Sequence, residues 1–389
     1  RERVSPTSFA ADHCTMLPLE LVARRYAVGS YLKRHPEMTE TDPPYRFACL
    51  EIELFLKTTR GHCFIGEDID LGLDASKGEE DPLLVAGSDG RWHLLHAKKP
   101  RWEDGAFLGV LDSFVLQWGT AEFRTDYIYD LLCKTFLVLE GAWATLGWRL
   151  IDFKIEFGVT ADGRLVVADV IDNDSWRVRN TGWQEMSKQV FRDQIAQEAV
   201  DLDDISLRYQ RVADLTGQFR IPKQAIILWL GSPNDEARVA EGLRKAIGMP
   251  AGVEMAKVAR SGHRQTLSVL QAIPLVESSY PDGGVIIACV GLSNGLGPID
   301  CTHTHWPVIN LPLTPEDLAS SLRLPSGVPA STMLKLENAV HQALQILAQK
   351  NPAAYAVVRE LAEADTGLPA GATITDIVRP VEIPASPAS

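Results

Sequence analysis

Apolar and polar residues alternate with a period of two over residues 151–157, where Ile151, Phe153, Ile155 and Phe157 are separated by Asp152, Lys154 and Glu156. Successive side chains of a strand point to opposite faces, so this pattern predicts a half-buried β-strand. Asp162-Gly163 reads as a two-residue turn, because a type I′ turn needs positive φ at both central positions. Residues 164–171 then return as a second strand. Counting back from a pair between Ala161 and Arg164 sets Glu156 opposite Asp169. Facing carboxylates repel each other unless a cation lies between them. Hard oxygen ligands of this kind suit Mg²⁺ shared with substrate phosphates. Lys154 lies one pleat away on the same face, within reach of a phosphate, and Asp172, Asp174 and Arg177 follow as a charged loop. A solvated hairpin with ordinary surface charges satisfies the same pattern.

Upstream, residues 17–34 begin strand-like, reach Gly29-Ser30 and end in the basic cluster Lys33, Arg34 and His35. Arg24 and Arg25 alternate with apolar positions, which would let them point into a cleft. Arginine suits bidentate recognition of carboxylate or phosphate, and Ser30 adds a hydroxyl donor. A solvated basic edge is the plainer alternative. Residues 47–58 alternate as a strand. Residues 59–106 are rich in Gly, Asp and Lys and read as an elaborated surface hairpin or loop. Within them His62, Cys63, His93 and His96 fit no structural zinc spacing and read as ordinary surface residues. Residues 114–147 carry an amphipathic helix, with Tyr127, Leu131, Leu132, Phe136, Leu137 and Leu139 as core.

The second half has a different pattern. Residues 225–230 form a continuous apolar run, as in a strand buried on both faces of a parallel sheet. Residues 253–258, 284–290 and 308–311 repeat the signal with helical stretches between them, which predicts a doubly wound α/β domain. The first three strands end in polar loops, 231–235, 259–264 and 291–298. Ligands of such folds bind beyond the carboxyl ends of the strands, where backbone N–H groups meet anions. No GxGxxG or Walker motif is present, so a dinucleotide or nucleoside triphosphate is not indicated in this half. A charged helical linker over 196–222, punctuated by Ile221-Pro222-Lys223, separates the halves. Residues 339–361 are helical, and the Pro-, Ala- and Ser-rich tail from Gly367 reads as loose.

At 389 residues and 46% hydrophobic content the chain suffices for two domains. A net charge of −13 argues against a general nucleic-acid surface, while leaving room for local basic pockets. The six cysteines form no CxxC pair, so free thiols in a reducing cytoplasm are expected. No apolar run approaches the ~20 residues of a membrane span, and no signal peptide is visible. The chain opens at Arg1, and a missing or removed upstream part is expected.

The segments EFG and ADVIDNDSWR, with LPLELVARRYAVGSYLKRHP before them and KQVFRD after, resemble SAICAR synthetase, the ATP-dependent ligase of purine biosynthesis. That family joins aspartate to carboxyaminoimidazole ribonucleotide (CAIR). The resemblance implies that Glu156 and Asp169 hold Mg²⁺ and, with Lys154, bind ATP. It further implies that Arg24, Ser30, Asp174, Arg177, Lys188 and Arg192 hold CAIR and aspartate. The family's N-terminal loop over the ATP phosphates has no counterpart in the chain.

In the second half GSPND, SGHR, SNGLGP and SSLRLPSG resemble class II AIR carboxylase, which is fused to SAICAR synthetase in the animal bifunctional enzyme. That family adds CO₂ to C4 of aminoimidazole ribonucleotide (AIR) without ATP, metal or biotin. The resemblance implies His263 as acid/base. Ser293 and Asn294 would place the carboxylate or CO₂, and Gly231, Ser232, Asp235, Ser261, Arg264 and Gly295 would hold AIR. Read without the resemblance, a lone histidine at a strand end such as His263 is more often a structural hydrogen-bonder. Two departures stand out. Leu292 lies where the animal family has Arg, and residues 301–305 replace a smaller stretch; His303 and His305 there lack an evident third metal ligand.

The expected architecture is α/β: a partial SAICAR synthetase-like α+β domain (1–195), the linker (196–222), a flavodoxin-like three-layer parallel-sheet domain (223–365) and a tail (366–389). The expected protein is a cytoplasmic bifunctional enzyme, and the resemblance implies a homo-oligomer, an octamer. Competing readings are a live carboxylase beside a disabled ligase, a pair repurposed for a related heterocycle, and a non-catalytic assembly or regulatory subunit.

Overall fold

The computed structural model describes residues 2–5, 8–65, 67–112 and 125–364. A short hairpin of β1 (Glu2–Ser5) and β2 (Ser8–Ala10) comes first. β3 (Cys14–Tyr26) leads into α1 (Ser30–Arg34), and β4 (Arg46–Leu56) returns beside β3. β5 (His62–Ile65) and β6 (Glu67–Asp70) pair separately. β7 (Leu83–Ala86), β8 (Trp92–Leu95) and β9 (Phe107–Leu111) follow. α2 (Thr125–Thr145) then precedes β10 (Arg149–Thr160), β11 (Leu165–Val167) and β12 (Trp176–Arg179). The main antiparallel sheet runs β11-β10-β3-β4-β7-β8-β9, with β12 also paired to β10.

The apolar phase of β10 does face a core. Ile155, Phe153 and Phe157 are buried with Leu19 and Leu21 of β3, under Leu132, Phe136 and Trp143 of α2. Each such side chain contributes roughly 1.5–3 kcal/mol by leaving water. The helix pattern holds with one correction: Tyr127, read as core, is exposed. The part of that pattern before Thr125 lies outside the described residues.

The hairpin register differs from the expected one. The Thr160 N–H donates to the Arg164 carbonyl at 3.0 Å and the Gly163 N–H to the Thr160 carbonyl at 2.9 Å. Residues 161–163 are therefore a three-residue loop, with only Gly163 at positive φ (83°). The extra loop residue shifts the pairing by one. Phe157 faces Val167, the Ala168 N–H bonds the Glu156 carbonyl at 3.0 Å, and Asp169 falls beyond the short β11. The residue directly opposite Glu156 is Glu20, on the other neighbour, β3. Arg177, expected in a loop, lies on β12.

Residues 59–106 are not a surface excursion. β7 and β8 extend the main sheet, and Leu84 and Leu94 enter its core. His62 pairs with Asp68, His93 lies 3.4 Å from Asp89, and buried His96 bonds the Lys77 carbonyl. Cys63 is buried in the first core, so the four residues have separate local roles, and Cys63 and His96 are not the surface residues expected.

Beyond α3 (Gln189–Ala196), α4 (Leu202–Thr216) is capped by Asp201, whose carboxylate accepts from the Asp203 and Asp204 N–H groups. Val212 and Leu215 of α4 insert into the first core, and Phe219 meets Trp143 edge-on at 5.0 Å. This helix, expected as a packed helical linker, lies against the first half.

The second sheet contains β13 (Gln224–Leu230), β14 (Val253–Ala259), β15 (Gly284–Val290), β16 (Val308–Pro312) and β17 (Ser331–Thr332). All pairs are parallel and the order is β14-β13-β15-β16-β17. Counted within the sheet, that is the 2-1-3-4-5 order of flavodoxin-like folds. Between the strands run α5 (Glu236–Lys245), α6 (Thr266–Ser279), α7 (Leu296–His303) and α8 (Leu318–Leu322). α9 (Leu336–Leu347) and α10 (Pro352–Ala364) close the described chain. Ile226, Leu228 and Leu230 pack on one face with α9, while Ala225, Ile227 and Trp229 pack on the other with α6. Both faces of β13 are covered, which explains its uninterrupted apolar run. α10 contributes Ala354 to this core and Ala356 to the core of the first sheet. The expected tail from Gly367 lies outside the described residues.

Candidate active sites

The polar phases of β3, β4 and β10 meet in a cleft of about 520 Å³. Asp152 faces Arg24 directly across β10 and β3. Arg24, only 3% exposed, donates from Nη1 to Asp152 Oδ2 at 2.5 Å and from Nε to Glu53 Oε2 at 2.6 Å. Burial disfavours the charge, but Glu53 and Asp152 reverse that and raise the Arg24 pKa. Burial likewise works against the Glu53 carboxylate, which Arg24 and Arg34 hold below the usual range. Arg24 Nη2 lies 3.4 Å from Ser30 Oγ. Arg177 reaches Asp152 at 3.2 Å, and its guanidinium packs on Gly29. A Cβ on Gly29 would lie 2.3 Å from Arg177 Nη1, and its φ of +59° also favours glycine there.

On the same floor Lys154 Nζ lies 3.3 Å from both Glu20 and Glu156, and 3.9 Å from Asp169. Lys57 joins Glu20 at 3.3 Å and Glu156 at 3.9 Å. Partial burial opposes the Lys154 charge, but Glu20 and Glu156 raise its pKa. Lys188 pairs with Asp174 at 2.7 Å, and Arg192 lines the cleft with both. The expected set of Arg24, Ser30, Lys154, Asp174, Arg177, Lys188 and Arg192 is thus gathered around one opening, with Glu156 and Asp169 reaching it through Lys154. No group of three or more His, Cys, Asp or Glu among the described residues is arranged as a metal cage. Glu156 and Asp169 nevertheless share a cation position, since both carboxylates address one ammonium. Two hard-oxygen donors with open positions fit Mg²⁺ completed by phosphate oxygens and water.

Sequence reasoning missed Glu20, Arg34, Lys57 and Asp152, which line this cleft, and Glu53, which pairs with Arg24 and Arg34. The available signal was phase: Glu53 and Asp152 each occupy a polar position of an alternating strand. It also missed the wall that the 59–106 segment supplies. Arg34 Nη1 donates to the Ala97 carbonyl at 2.5 Å, and Ala75, Gly78, Glu80, Asp81 and Lys98 line the opening.

The second cleft, of about 900 Å³, lies at the carboxyl ends of β13, β14 and β15. Gly231, Ser232, Asp235, Ser261, His263, Arg264 and Ser293 line it. Two glycines interlock the loops. A Cβ on Gly262 would lie 2.8 Å from the Gly295 carbonyl, and one on Gly295 would lie 2.6 Å from His263 Nε2. The His263 ring therefore rests on the Gly295 backbone. Ser232 Oγ accepts from the Asn234 N–H at 3.3 Å and Ser261 Oγ from the Arg264 N–H at 3.3 Å, which orients both hydroxyls.

Asn294 is a correction. Expected to touch the carboxylate, it is buried: its Nδ2 donates to Ser321 Oγ at 3.2 Å and its Oδ1 accepts from the Gly297 N–H at 2.8 Å. Its backbone N–H donates to Ser320 Oγ at 2.9 Å. Asn294 holds the loop that presents Ser293 and leaves no amide group directed to the cleft. His303 bonds the Ile299 carbonyl and His305 pairs with Glu277, so these two histidines serve different partners.

Comparison with known proteins matches this division. The SAICAR synthetase family model covers residues 111–208 and the AIR carboxylase model residues 225–366. The "probable multifunctional protein ADE2" of Caenorhabditis elegans is 34% identical over 364 residues, covering 90% of this chain and 74% of that protein. The chain belongs to the bifunctional phosphoribosylaminoimidazole carboxylase/phosphoribosylaminoimidazole succinocarboxamide synthetase family. The Homo sapiens member of that family is 31% identical over 370 residues, covering 91% of this chain and 75% of that protein. A phosphoribosylaminoimidazole-succinocarboxamide synthase of Chloroflexus aurantiacus is 36% identical over 219 residues, or 55% of this chain and 68% of that protein. No helix among the described residues is long and apolar enough to cross a membrane.

Proposed function

We propose that the chain performs two successive reactions of de novo purine biosynthesis, one in each cleft. The α/β cleft carboxylates AIR to CAIR. The antiparallel-sheet cleft joins CAIR to L-aspartate, giving SAICAR, ADP and phosphate. The observation that carries this reading is that residues from distant segments converge as two separate sets on two separate openings.

In the carboxylase cleft C4 of the aminoimidazole ring attacks CO₂, forming the new C–C bond, and the C4 proton passes to His263. Ser232, Asp235, Ser261 and Arg264 hold the ribose and its phosphate, with the Gly231 and Gly295 backbones close by. Ser293 meets the carboxylate. Proximity of ring and CO₂, with the base in reach, is the main source of rate. Asn294 acts indirectly, by fixing the Ser293 loop.

In the ligase cleft the γ-phosphoryl group of ATP passes to a CAIR carboxylate oxygen and ADP leaves. The aspartate amine then attacks the acyl carbon, phosphate departs, and the amine releases a proton. Arg24, Ser30, Asp174, Arg177, Lys188 and Arg192 bind and orient CAIR and aspartate, while Lys154 offsets phosphate charge. Glu156 and Asp169 would hold Mg²⁺, which when bound offsets charge on the transferring phosphoryl group. A cytoplasmic setting and assembly into a homo-oligomer belong to the same proposal.

The exposed Leu292 at the carboxylase rim favours, as a second reading, a related heterocycle as substrate. Incubation of the chain with AIR, bicarbonate, aspartate and Mg-ATP, with products identified by mass spectrometry, separates the cases. SAICAR supports both activities, and CAIR alone a carboxylase beside a silent ligase. Neither product would reject the purine reading and turn attention to other heterocycles.

A further inference from the structure

One guanidinium in the α/β cleft has no role in the scheme above. Arg238 lies in the first turn of α5, lines the cleft and keeps 50% of its side chain exposed. It faces the end of β15: a Cβ on Gly291 would lie 3.0 Å from Arg238 Nη1 and 2.6 Å from Asp235 Oδ1. The missing side chain at Gly291 thus leaves room for this pair. Arg238 Nη1 is 3.8 Å from Asp235 Oδ1, near enough to be steered and too far for a hydrogen bond. No hydrogen bond among the described residues commits the guanidinium. A cation in the first turn also opposes the helix dipole, a cost that an anion bound between them would offset. The next rim residue, Leu292, is 81% exposed and offers no donor.

We infer that Arg238 is a substrate-binding residue, holding an oxyanion at the Gly291–Ser293 edge of the cleft. The inference rests on the carboxylase reading. Two substrate groups share the required chemistry: the ribose phosphate, present in AIR and CAIR, and the carboxylate, present only in CAIR.

The test uses the full chain as wild type, Arg238→Ala, Arg238→Lys and Arg238→Ala/Leu292→Arg, assayed for carboxylation of AIR and decarboxylation of CAIR. Arg238→Ala is expected to raise KM roughly tenfold or more, as loss of a charge-assisted pair does, with kcat much less affected. Arg238→Lys should keep part of the affinity. Leu292→Arg should restore most of it, because a guanidinium at that rim position enters the same space. A rise for both substrates assigns the phosphate; a rise for CAIR alone assigns the carboxylate. KM values within about twofold of wild type for both substrates would overturn the inference. So would a loss that neither Arg238→Lys nor Leu292→Arg reduces. Calorimetric binding of AIR and CAIR to the same proteins keeps the two readings apart. A wild type that binds but does not turn over counts against the carboxylase reading, and an affinity unchanged by Arg238→Ala counts against Arg238.

Discussion

Glu363, in the last helix, accepts a hydrogen bond from Arg25 Nη2 at 2.6 Å, although 338 residues separate the two. Arg25 is fully buried in the first sheet and is also held by Glu140 of α2. Glu363 accepts the Leu50 N–H at 3.0 Å as well. The end of the α/β half is thus tied into the antiparallel half by a buried charge. Breaking such a pair leaves a desolvated charge, at a cost of about 3–5 kcal/mol when no other partner remains. With Glu140 still present, Glu363→Ala should lower stability by roughly half that, read by urea denaturation. An unchanged midpoint would mean that Glu140 alone satisfies Arg25.

Gly295→Ala tests the seat of His263. The added methyl would lie 2.6 Å from the ring, so the imidazole must move. AIR carboxylation should fall roughly tenfold or more, since small misplacements of a proton-transfer group are costly. ATP binding in the other cleft should be unaffected. A wild-type carboxylation rate would remove His263, in this position, from the mechanism.

Asp169→Asn removes one of the three carboxylates, with Glu20 and Glu156, that address the Lys154 ammonium. Mg-ATP binding, followed by titration calorimetry, should weaken about tenfold or more while AIR carboxylation continues. Equal loss of both activities would contradict separate sites.

Asp300 of α7 is fully buried, and neither carboxylate oxygen has a hydrogen-bond partner among the described residues. Burial pushes its pKa up to about 8. The folded pKa lies above the unfolded value of about 3.9, so the folded form binds the proton more tightly. The associated stability is fully present below pH ~4 and is lost as pH rises through ~8. Asp300→Asn should remove this dependence. Its melting temperature should exceed that of wild type by several degrees at pH 9, and the gap should close towards pH 4. A gap independent of pH would show that Asp300 does not titrate in this range.

Much of the fold was legible because its signals are local. The alternation at 151–157 marked β10, and the apolar runs at 225–230 and 284–290 marked strands covered on both faces. The turn at Asp162-Gly163 was recognised, but its length was not. A two-residue and a three-residue loop share the Asp-Gly signal, and the difference of one residue replaced Asp169 by Ala168 opposite Glu156. Residues 59–106 looked like surface from their polar composition, yet their sparse apolar residues, Leu84 and Leu94, suffice to extend the sheet.

By itself the sequence determined the period of each strand, the change from an antiparallel to a parallel half, and which charged and hydroxyl residues were available for chemistry. Periodicity depends on neighbours in the chain and is therefore written locally. Only the tertiary structure decided that Glu156 faces Glu20, that Asn294 turns inward to Ser321, and that Arg238 meets Gly291. Those pairings depend on loop length, register and packing between distant segments, which no local pattern encodes.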